Sequence, residues 1–94
     1  MRTTKDMDYV FGIDGTEILI EVQQKDVRNH VIEQYIKCRK EKKMTQEQLS
    51  QRTGISRPNI SRFESGNYNP SLEMMVRIAE ALEMNLNITL ESRI

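Results

Sequence analysis

The stretch Met44–Ser71 reads MTQEQLSQRTGISRPNISRFESGNYNPS and contains two candidate helices separated by a glycine. Thr45 is a natural N-cap, and Gln48 stands three residues later, as in a capping box. This pattern predicts a short helix that runs to about Thr53. Gly54 can then adopt the left-handed backbone conformation that commonly ends a helix.

The second candidate helix of this stretch begins after Ser56, which is again a good N-cap. Pro58 falls in the first turn, where its missing N–H costs little. The helix is expected to run to about Ser65 and to end at Gly66. Two short helices joined by a tight turn form a helix-turn-helix pattern.

A helix pair of this size cannot bury its apolar side alone, so it needs other helices as a base. One is predicted from an N-cap at Asp26 to about Lys42, and another begins after Ser71. Each carries apolar residues at spacings of three and four, which form a stripe. The first stripe is Val27, Val31, Tyr35 and Cys38, and the second is Leu72, Met75, Val76, Ile78, Ala79 and Leu82.

Two further segments alternate apolar and polar residues, which favours β-strands. They are TEILIEV (16–22) and LNITL (86–90). The turn signal Asp14-Gly15 indicates a hairpin whose first strand lies in YVFGI (9–13). The sequence therefore predicts a mainly α fold, a compact four-helix domain with short N- and C-terminal β-strands.

The composition of the 94 residues, 37% apolar and 30% charged, suits one small soluble domain. No apolar run approaches the ~20 residues that span a bilayer, and the N-terminus lacks the apolar stretch of a signal peptide. Cys38 is the only cysteine and His30 the only histidine, so neither a disulfide framework nor a zinc site is expected. We expect no cofactor, no metal and no membrane contact, with a cytoplasmic location as the default.

Charge is distributed unevenly, although 14 basic and 14 acidic residues give a formal net charge of zero. Residues 1–36 carry −3, residues 37–77 carry +5 and residues 78–94 carry −2. Because the attraction of a phosphate decays over a Debye length of about 8–10 Å, a local basic face matters more than the total. The basic middle is compatible with nucleic-acid binding and equally with an ordinary solvated surface of mixed charge.

Residues 32–84 resemble the helix-turn-helix domains of Cro and the phage repressors, the XRE family of regulators. The ordered set that carries the resemblance is Arg39, Thr45, Gln46, Leu49, Gly54, Ile55, Ser56, Ile60, Ser61, Glu64, Gly66, Pro70, Leu72, Ile78, Ala79 and Leu82. Lys43 departs from the pattern, because the family often has glycine there, so we expect a strained or altered end of the first helix. We accordingly divide the chain into an N-terminal arm with a strand (1–25), a helix-turn-helix DNA-binding domain (26–84) and a C-terminal strand (85–94).

The resemblance implies that the helix after Ser56 enters the major groove of double-stranded DNA. Arg57 and Arg62 could each donate two hydrogen bonds to a guanine, and Asn59 could pair with an adenine. The ring of Pro58 could touch a thymine methyl, and Ser61 stands one turn further on. The alternative is that both arginines are exposed helix residues without a target.

The resemblance also implies phosphate contacts from Thr45, Gln46, Lys43, Arg52, Asn67, Tyr68 and Asn69. Gln46 stands at the start of a helix, where free backbone N–H groups face an anion. Thr45 is foremost a helix cap, and Tyr68 could instead pack on the fourth helix. Arg39 and Glu64 match a structural ion pair of similar repressors, so we expect them to stabilise the fold and not to bind DNA.

The function expected from the resemblance is a sequence-specific DNA-binding transcriptional regulator, a repressor that reads its operator as a homodimer. One recognition helix covers few base pairs, and two-fold dimers read two half-sites about one helical turn apart. The predicted strands at 16–22 and 86–90 could pair across the two-fold axis. A hairpin formed within one chain is the alternative.

A second possible function is that of an antitoxin, because compact XRE domains with a short C-terminal strand resemble HigA-type antitoxins. The acidic N-terminal segment could then cover a basic toxin partner. An enzyme is not expected, since the sequence has no Ser/His/Asp set, no cluster of metal ligands and no phosphate-binding glycine loop.

Overall fold

A β-hairpin and four α-helices follow one another in the computed structural model, which describes residues 8–93. The elements are β1 (Tyr9–Phe11), β2 (Glu17–Leu19), α1 (Ile20–Glu41), α2 (Gln46–Thr53), α3 (Arg57–Ser65) and α4 (Leu72–Ala81). The mainly α four-helix fold expected from the sequence is confirmed. The first seven residues of the expected N-terminal arm, and Ile94 of the expected C-terminal strand, lie outside the described residues.

The hairpin pairs β1 antiparallel to β2, with Tyr9 opposite Leu19. Its turn is held by Asp14, whose Oδ1 accepts a hydrogen bond from the backbone N–H of Thr16 at 3.0 Å. That hydrogen bond lowers the pKa of the Asp14 carboxyl, because it favours the charged form. The predicted turn at Asp14-Gly15 and the first strand are therefore confirmed.

The start of α1 differs from the prediction. The strand expected over residues 16–22 ends at Leu19, and α1 begins at Ile20 instead of after Asp26. Leu19 occupies the N-cap position without a side-chain hydrogen bond, so no polar residue marks this start in the sequence. The expected boundary between residues 25 and 26 consequently falls inside a continuous helix.

Helices α2, α3 and α4 begin at the residues that the sequence predicts. Thr45 accepts from the backbone N–H of Gln48, and the Gln48 side chain accepts from the backbone N–H of Thr45, which completes the capping box. Ser56 and Ser71 cap α3 and α4 in the same way, each through the backbone N–H three residues later. These starts were predictable because each depends on side chains within one helical turn.

The core lies among the four helices, and it consists of Ile32, Tyr35, Leu49, Ile60, Phe63, Ile78, Ala79 and Leu82. The rings of Tyr35 and Phe63 pack edge to face with centroids 5.1 Å apart. The Tyr35 hydroxyl donates to the carbonyl oxygen of Met75 at 2.8 Å, and burial raises the pKa of Tyr35. Leu72 and Val76, predicted in the apolar stripe of α4, are instead exposed.

The predicted C-terminal strand does not form. Residues 84–93 contain neither helix nor strand. Leu86 is half-buried against the core, whereas Ile88 and Leu90 are exposed. A strand needs a partner for its backbone N–H and C=O groups. Within residues 8–93, the two strands of the hairpin pair only with each other.

None of the helices in the described part of the chain combines the length and the apolar character needed to cross a membrane.

Candidate nucleic-acid interface

The turn between α2 and α3 is held by hydrogen bonds of its own. Gly54 has a φ of 77°, and its backbone N–H donates to the carbonyl oxygen of Ser50 at 2.9 Å. The Ser50 hydroxyl donates to the carbonyl oxygen of Ile55 at 2.6 Å, and the Ile55 N–H donates to Thr53 Oγ1 at 3.1 Å. These bonds fix the orientation of α3 relative to α2.

Helix α3 has one buried side and one exposed side. Ile60 and Phe63 are fully buried in the core. The five residues predicted to read bases are all exposed, namely Arg57, Pro58, Asn59, Ser61 and Arg62. Neither arginine points into the interior, so the exposed side of α3 can be reached by a ligand.

An ion pair joins the end of α1 to the end of α3. Arg39 Nε lies 2.6 Å from Glu64 Oε2, and Arg39 Nη2 donates to Glu64 Oε1 at 3.0 Å. The two side chains are only 13% and 9% exposed, and Arg39 Nη1 also donates to the carbonyl oxygen of Met44. The structural pair that the resemblance implied is present, with the two-pronged geometry that makes such pairs strong.

Gln46, predicted to contact phosphate, is tied to the same ion pair. Its Nε2 donates to Glu64 Oε1 at 2.9 Å, and the side chain is half-buried. The amide nitrogen carries a second N–H beyond the one that faces Glu64. The hydrogen bond to Glu64 fixes the position of the Gln46 side chain at the start of α2. The N-cap residue Thr45, which is exposed, lies beside it.

The loop after α3 places Tyr68 against α3. The guanidinium carbon of Arg62 lies 5.1 Å from the centre of the Tyr68 ring, which is cation–π geometry. This contact differs from both roles considered for Tyr68, a phosphate contact and packing on α4. In the same loop, Asn67 is exposed and its backbone N–H donates to Ser65 Oγ at 3.3 Å.

Two residues that the sequence analysis missed hold this loop from α1. Arg28 Nε donates to the carbonyl oxygen of Gly66 at 2.8 Å, and Arg28 Nη1 donates to Asn69 Oδ1. Gln24 Nε2 donates to the same Asn69 oxygen at 2.6 Å. We call these contacts the Arg28 clasp. No local pattern signals it, because its partners are about 40 residues apart in the chain.

Lys43 and Arg52, the remaining predicted phosphate contacts, line one shallow groove together with Gln48 and Gln51. Gln46 does not line this groove, so Lys43 and Arg52 form a group of predicted phosphate contacts apart from Gln46 and from the loop after α3. Lys43 has a φ of 54°, the left-handed region in which glycine is favoured. Of the two effects expected at Lys43, the backbone is strained, and the helix still ends with hydrogen bonds from Lys43 N–H to the Lys40 carbonyl oxygen and from Met44 N–H to that of Arg39.

Comparison with known proteins agrees with this arrangement. The family model described as Helix-turn-helix (HTH_3) matches residues 36–88, which is more than half of the chain. The chain belongs to this helix-turn-helix family. The family expected from the residues between Arg39 and Leu82 is therefore confirmed.

Several curated relatives carry the name of HTH-type transcriptional regulator. An uncharacterized one from Haemophilus influenzae is 31% identical over 68 residues, covering 72% of this chain and 69% of the relative. The uncharacterized regulator YqaE of Bacillus subtilis is 34% identical over 55 residues, and the match covers 58% of this chain. It covers only 47% of YqaE, so this helix-turn-helix chain spans about half the length of that relative.

A solved structure matches the chain over almost its whole length. It is a chain of a structure titled "Toxin-Antitoxin module from Streptococcus pneumoniae", with a TM-score of 0.60 and 25% sequence identity. The match covers 97% of this chain and 96% of the other. The likeness therefore extends beyond the helix-turn-helix region.

Proposed function

We propose that this helix-turn-helix protein is a sequence-specific regulator of transcription, a repressor that binds double-stranded DNA as a homodimer. The observation that carries the proposal is the exposed side of α3. Arg57 and Arg62 lie on it, while Ile60 and Phe63 anchor the opposite side in the core. Such a helix can lie in the major groove without disturbing the packing beneath it.

The proposed base contacts follow from the donors on this side of α3. A guanidinium can donate two hydrogen bonds to the O6 and N7 atoms of guanine, and we assign this role to Arg57 and Arg62. Asn59 would read adenine in a similar two-pronged way, and Pro58 and Ser61 would contact neighbouring base edges. Each good two-pronged contact discriminates against a wrong base by about 1–3 kcal/mol.

The proposed phosphate contacts flank α3. Gln46 and Thr45 lie at the start of α2, where the helix dipole and free N–H groups favour an anion. Asn67, Tyr68 and Asn69 follow α3 in the loop held by the Arg28 clasp. The groove lined by Lys43 and Arg52 would contribute positive charge further along the same duplex. Phosphate contacts position the protein on the duplex and carry no sequence information directly.

Selection from randomised oligonucleotides at a stated salt concentration tests this proposal. We expect Arg57→Ala to relax preference at one base position and Gln46→Ala to weaken all sites alike, because only the first removes a base contact. Arg93→Ala and Gln34→Ala are matched controls, since both side chains are exposed and carry no proposed DNA contact. Unchanged selection by Arg57→Ala and Gln46→Ala would refute the assignments.

The proposed homodimer is tested separately by sedimentation. The exposed Ile88 and Leu90 make the C-terminal segment a candidate contact between two copies. A chain that ends at Met84 is expected to sediment as a monomer if this segment joins the copies. If the shortened chain remains dimeric, the contact lies elsewhere.

Autoregulation as an antitoxin is a second proposed function. It is favoured by the match to a chain of a toxin-antitoxin module, which extends over the hairpin and α1 as well as the helix-turn-helix. Under this proposal the protein binds a toxin and represses its own operon. The test is co-expression with the protein encoded beside it, with an affinity tag on that neighbour alone. Recovery of a stoichiometric complex supports the proposal, and failure to form any complex argues against it.

A further inference from the structure

The hairpin and the first half of α1, residues 8–30, carry an apolar surface that no other part of residues 8–93 buries. We call this segment the arm. None of its residues is buried. Its exposed large apolar side chains are Tyr9, Val10, Phe11, Ile13, Val22 and Val27. A two-stranded hairpin is marginally stable alone, and apolar side chains concentrated on a surface mark an interaction site.

The arm is also acidic. Its five carboxylates are Asp8, Asp14, Glu17, Glu21 and Asp26, and its two basic residues are Lys25 and Arg28. The Arg28 guanidinium is already engaged by Gly66 and Asn69 in the clasp. Within residues 8–93, none of the five carboxylates forms an ion pair with a lysine or arginine. The arm therefore presents a net negative potential to any partner.

One apolar and two acidic side chains lie on one exposed side of α1, and the last of them, Glu33, lies three residues beyond the arm. Val22, Asp26 and Glu33 are separated by four and seven residues, spacings that place them on one face of a helix. All three are exposed. A partner that covers Val22 would therefore also meet the carboxylates of Asp26 and Glu33.

Charge decides between the possible occupants of this surface. Duplex DNA is excluded because its phosphates would be repelled. A second copy joined through a two-fold contact would bring two acidic arms together, which costs free energy. A protein with a basic surface satisfies both the negative charge and the exposed apolar side chains.

We propose that the arm is the docking surface for a basic partner protein, the toxin of a toxin-antitoxin pair. This inference rests on the second proposed function and names the surface that performs it. The arm and the exposed side of α3 consist of different residues, so the arm variants leave the proposed base contacts in place. The Arg28 clasp lies between them, because it joins α1 to the loop that follows α3.

The inference is tested with the full chain and the protein encoded beside it, by titration calorimetry. The first variant is Glu17→Lys/Asp26→Lys, which reverses the charge of two exposed carboxylates of the arm. The second is Phe11→Ser, which removes an apolar side chain that is 67% exposed and leaves the core intact. Each is expected to raise the dissociation constant at least tenfold, and circular dichroism should show an unchanged helix content.

The matched control is Glu80→Lys/Glu91→Lys, which makes the same change in net charge outside the arm at two exposed positions. It is expected to change the dissociation constant less than threefold. If the neighbour binds and the arm variants bind it as tightly as the wild type, the docking surface is wrong while the antitoxin function stands. If the neighbour does not bind at all, the antitoxin function and this inference both fail. If the arm variants turn a dimer into a monomer in sedimentation, the arm is a contact between copies and the inference is overturned.

Discussion

Arg39 Nε lies 2.6 Å from Glu64 Oε2 across the gap between the ends of α1 and α3. Glu64 also accepts from Gln46 at 2.9 Å, so one carboxylate joins three helices. Because the pair is largely buried, its charges would lose water on folding without full compensation if either partner were absent. Glu64 thus links the end of α1 and the start of α2 to α3, in addition to the hydrogen bonds of the turn between α2 and α3.

A double-mutant cycle measures how much the Arg39–Glu64 ion pair contributes to the free energy of unfolding. We expect Arg39→Ala and Glu64→Ala each to lower the free energy of unfolding by about 2–4 kcal/mol, because each leaves a buried charge unpaired. The double variant should lose less than the sum of the two, since no unpaired charge remains. Urea unfolding, monitored by circular dichroism, gives the change in the free energy of unfolding for the two single variants and for the double variant. Strict additivity would mean that the ion pair contributes nothing beyond its separate side chains.

Glycine is expected to be favourable at both turns that flank α2, so removing it from one and introducing it into the other should change stability in opposite directions. Gly54 has a φ of 77° with no atom near its missing Cβ, so Gly54→Ala introduces backbone strain only. We expect it to lower the free energy of unfolding by about 1–2 kcal/mol. Lys43 has a φ of 54°, and Lys43→Gly relieves the same strain. We expect a gain of about 0.5–1 kcal/mol, because the greater unfolded-state entropy of glycine offsets part of the relief.

Thermal or urea unfolding of the two variants checks these signs. The reference variants are Lys42→Gly, close to Lys43, and Arg52→Ala, close to Gly54. Both change exposed residues. Lys42 has a φ of −85°, so glycine there should bring no gain. A stabilised Lys42→Gly variant, or a destabilised Lys43→Gly variant, would show that strain at residue 43 is not the controlling factor.

The elements that the sequence predicted correctly are those set by neighbours within one helical turn. The caps at Thr45, Ser56 and Ser71 and the left-handed Gly54 are of this kind. The start of α1 was missed because Leu19 offers no capping side chain, and the alternation of residues 16–22 continues into the first helical turn. The ion pair was expected only through the family resemblance, since residues 39 and 64 are 25 positions apart.

The wrong prediction of a strand at the C-terminal end of the chain has a different cause. Alternation in LNITL describes which side chains share a face, and a strand forms only where another strand offers hydrogen bonds. Within residues 8–93 no such partner reaches the C-terminal segment. The Arg28 clasp was missed for a related reason: a long polar side chain on a helix predicts exposure unless the loop that it contacts is known.

The Arg28 clasp should stabilise the loop after α3. Arg28 donates hydrogen bonds to the carbonyl oxygen of Gly66 and to Asn69 Oδ1. Loss of the Arg28 side chain leaves both acceptors without their charged donor. We expect Arg28→Ala to lower the free energy of unfolding by about 1–2 kcal/mol, as for hydrogen bonds that involve a charged group. Lys25→Ala is the control, because Lys25 is exposed, and surface substitutions of this kind change stability by less than about 0.5 kcal/mol.

Hydrogen exchange localises the same effect. Amides of residues 66–69 are expected to exchange faster in Arg28→Ala than in the wild type, whereas those of α2 should be unchanged. Equal acceleration throughout the domain would indicate a general loss of stability and no specific role for the clasp.

Tyr68 could act in DNA binding in two ways. Its ring could hold the Arg62 guanidinium, or its hydroxyl could contact a phosphate. If the ring holds the guanidinium ready for a base, Tyr68→Phe keeps this contact and Tyr68→Ala removes about 0.5–1 kcal/mol of cation–π attraction. We expect operator binding about threefold weaker for Tyr68→Ala and unchanged for Tyr68→Phe. The altered base preference of Tyr68→Ala should coincide with that of Arg62→Ala, because both act through the same guanidinium. If Tyr68→Phe instead weakens binding to every sequence alike, the hydroxyl contacts phosphate and the ring contact does not matter for recognition.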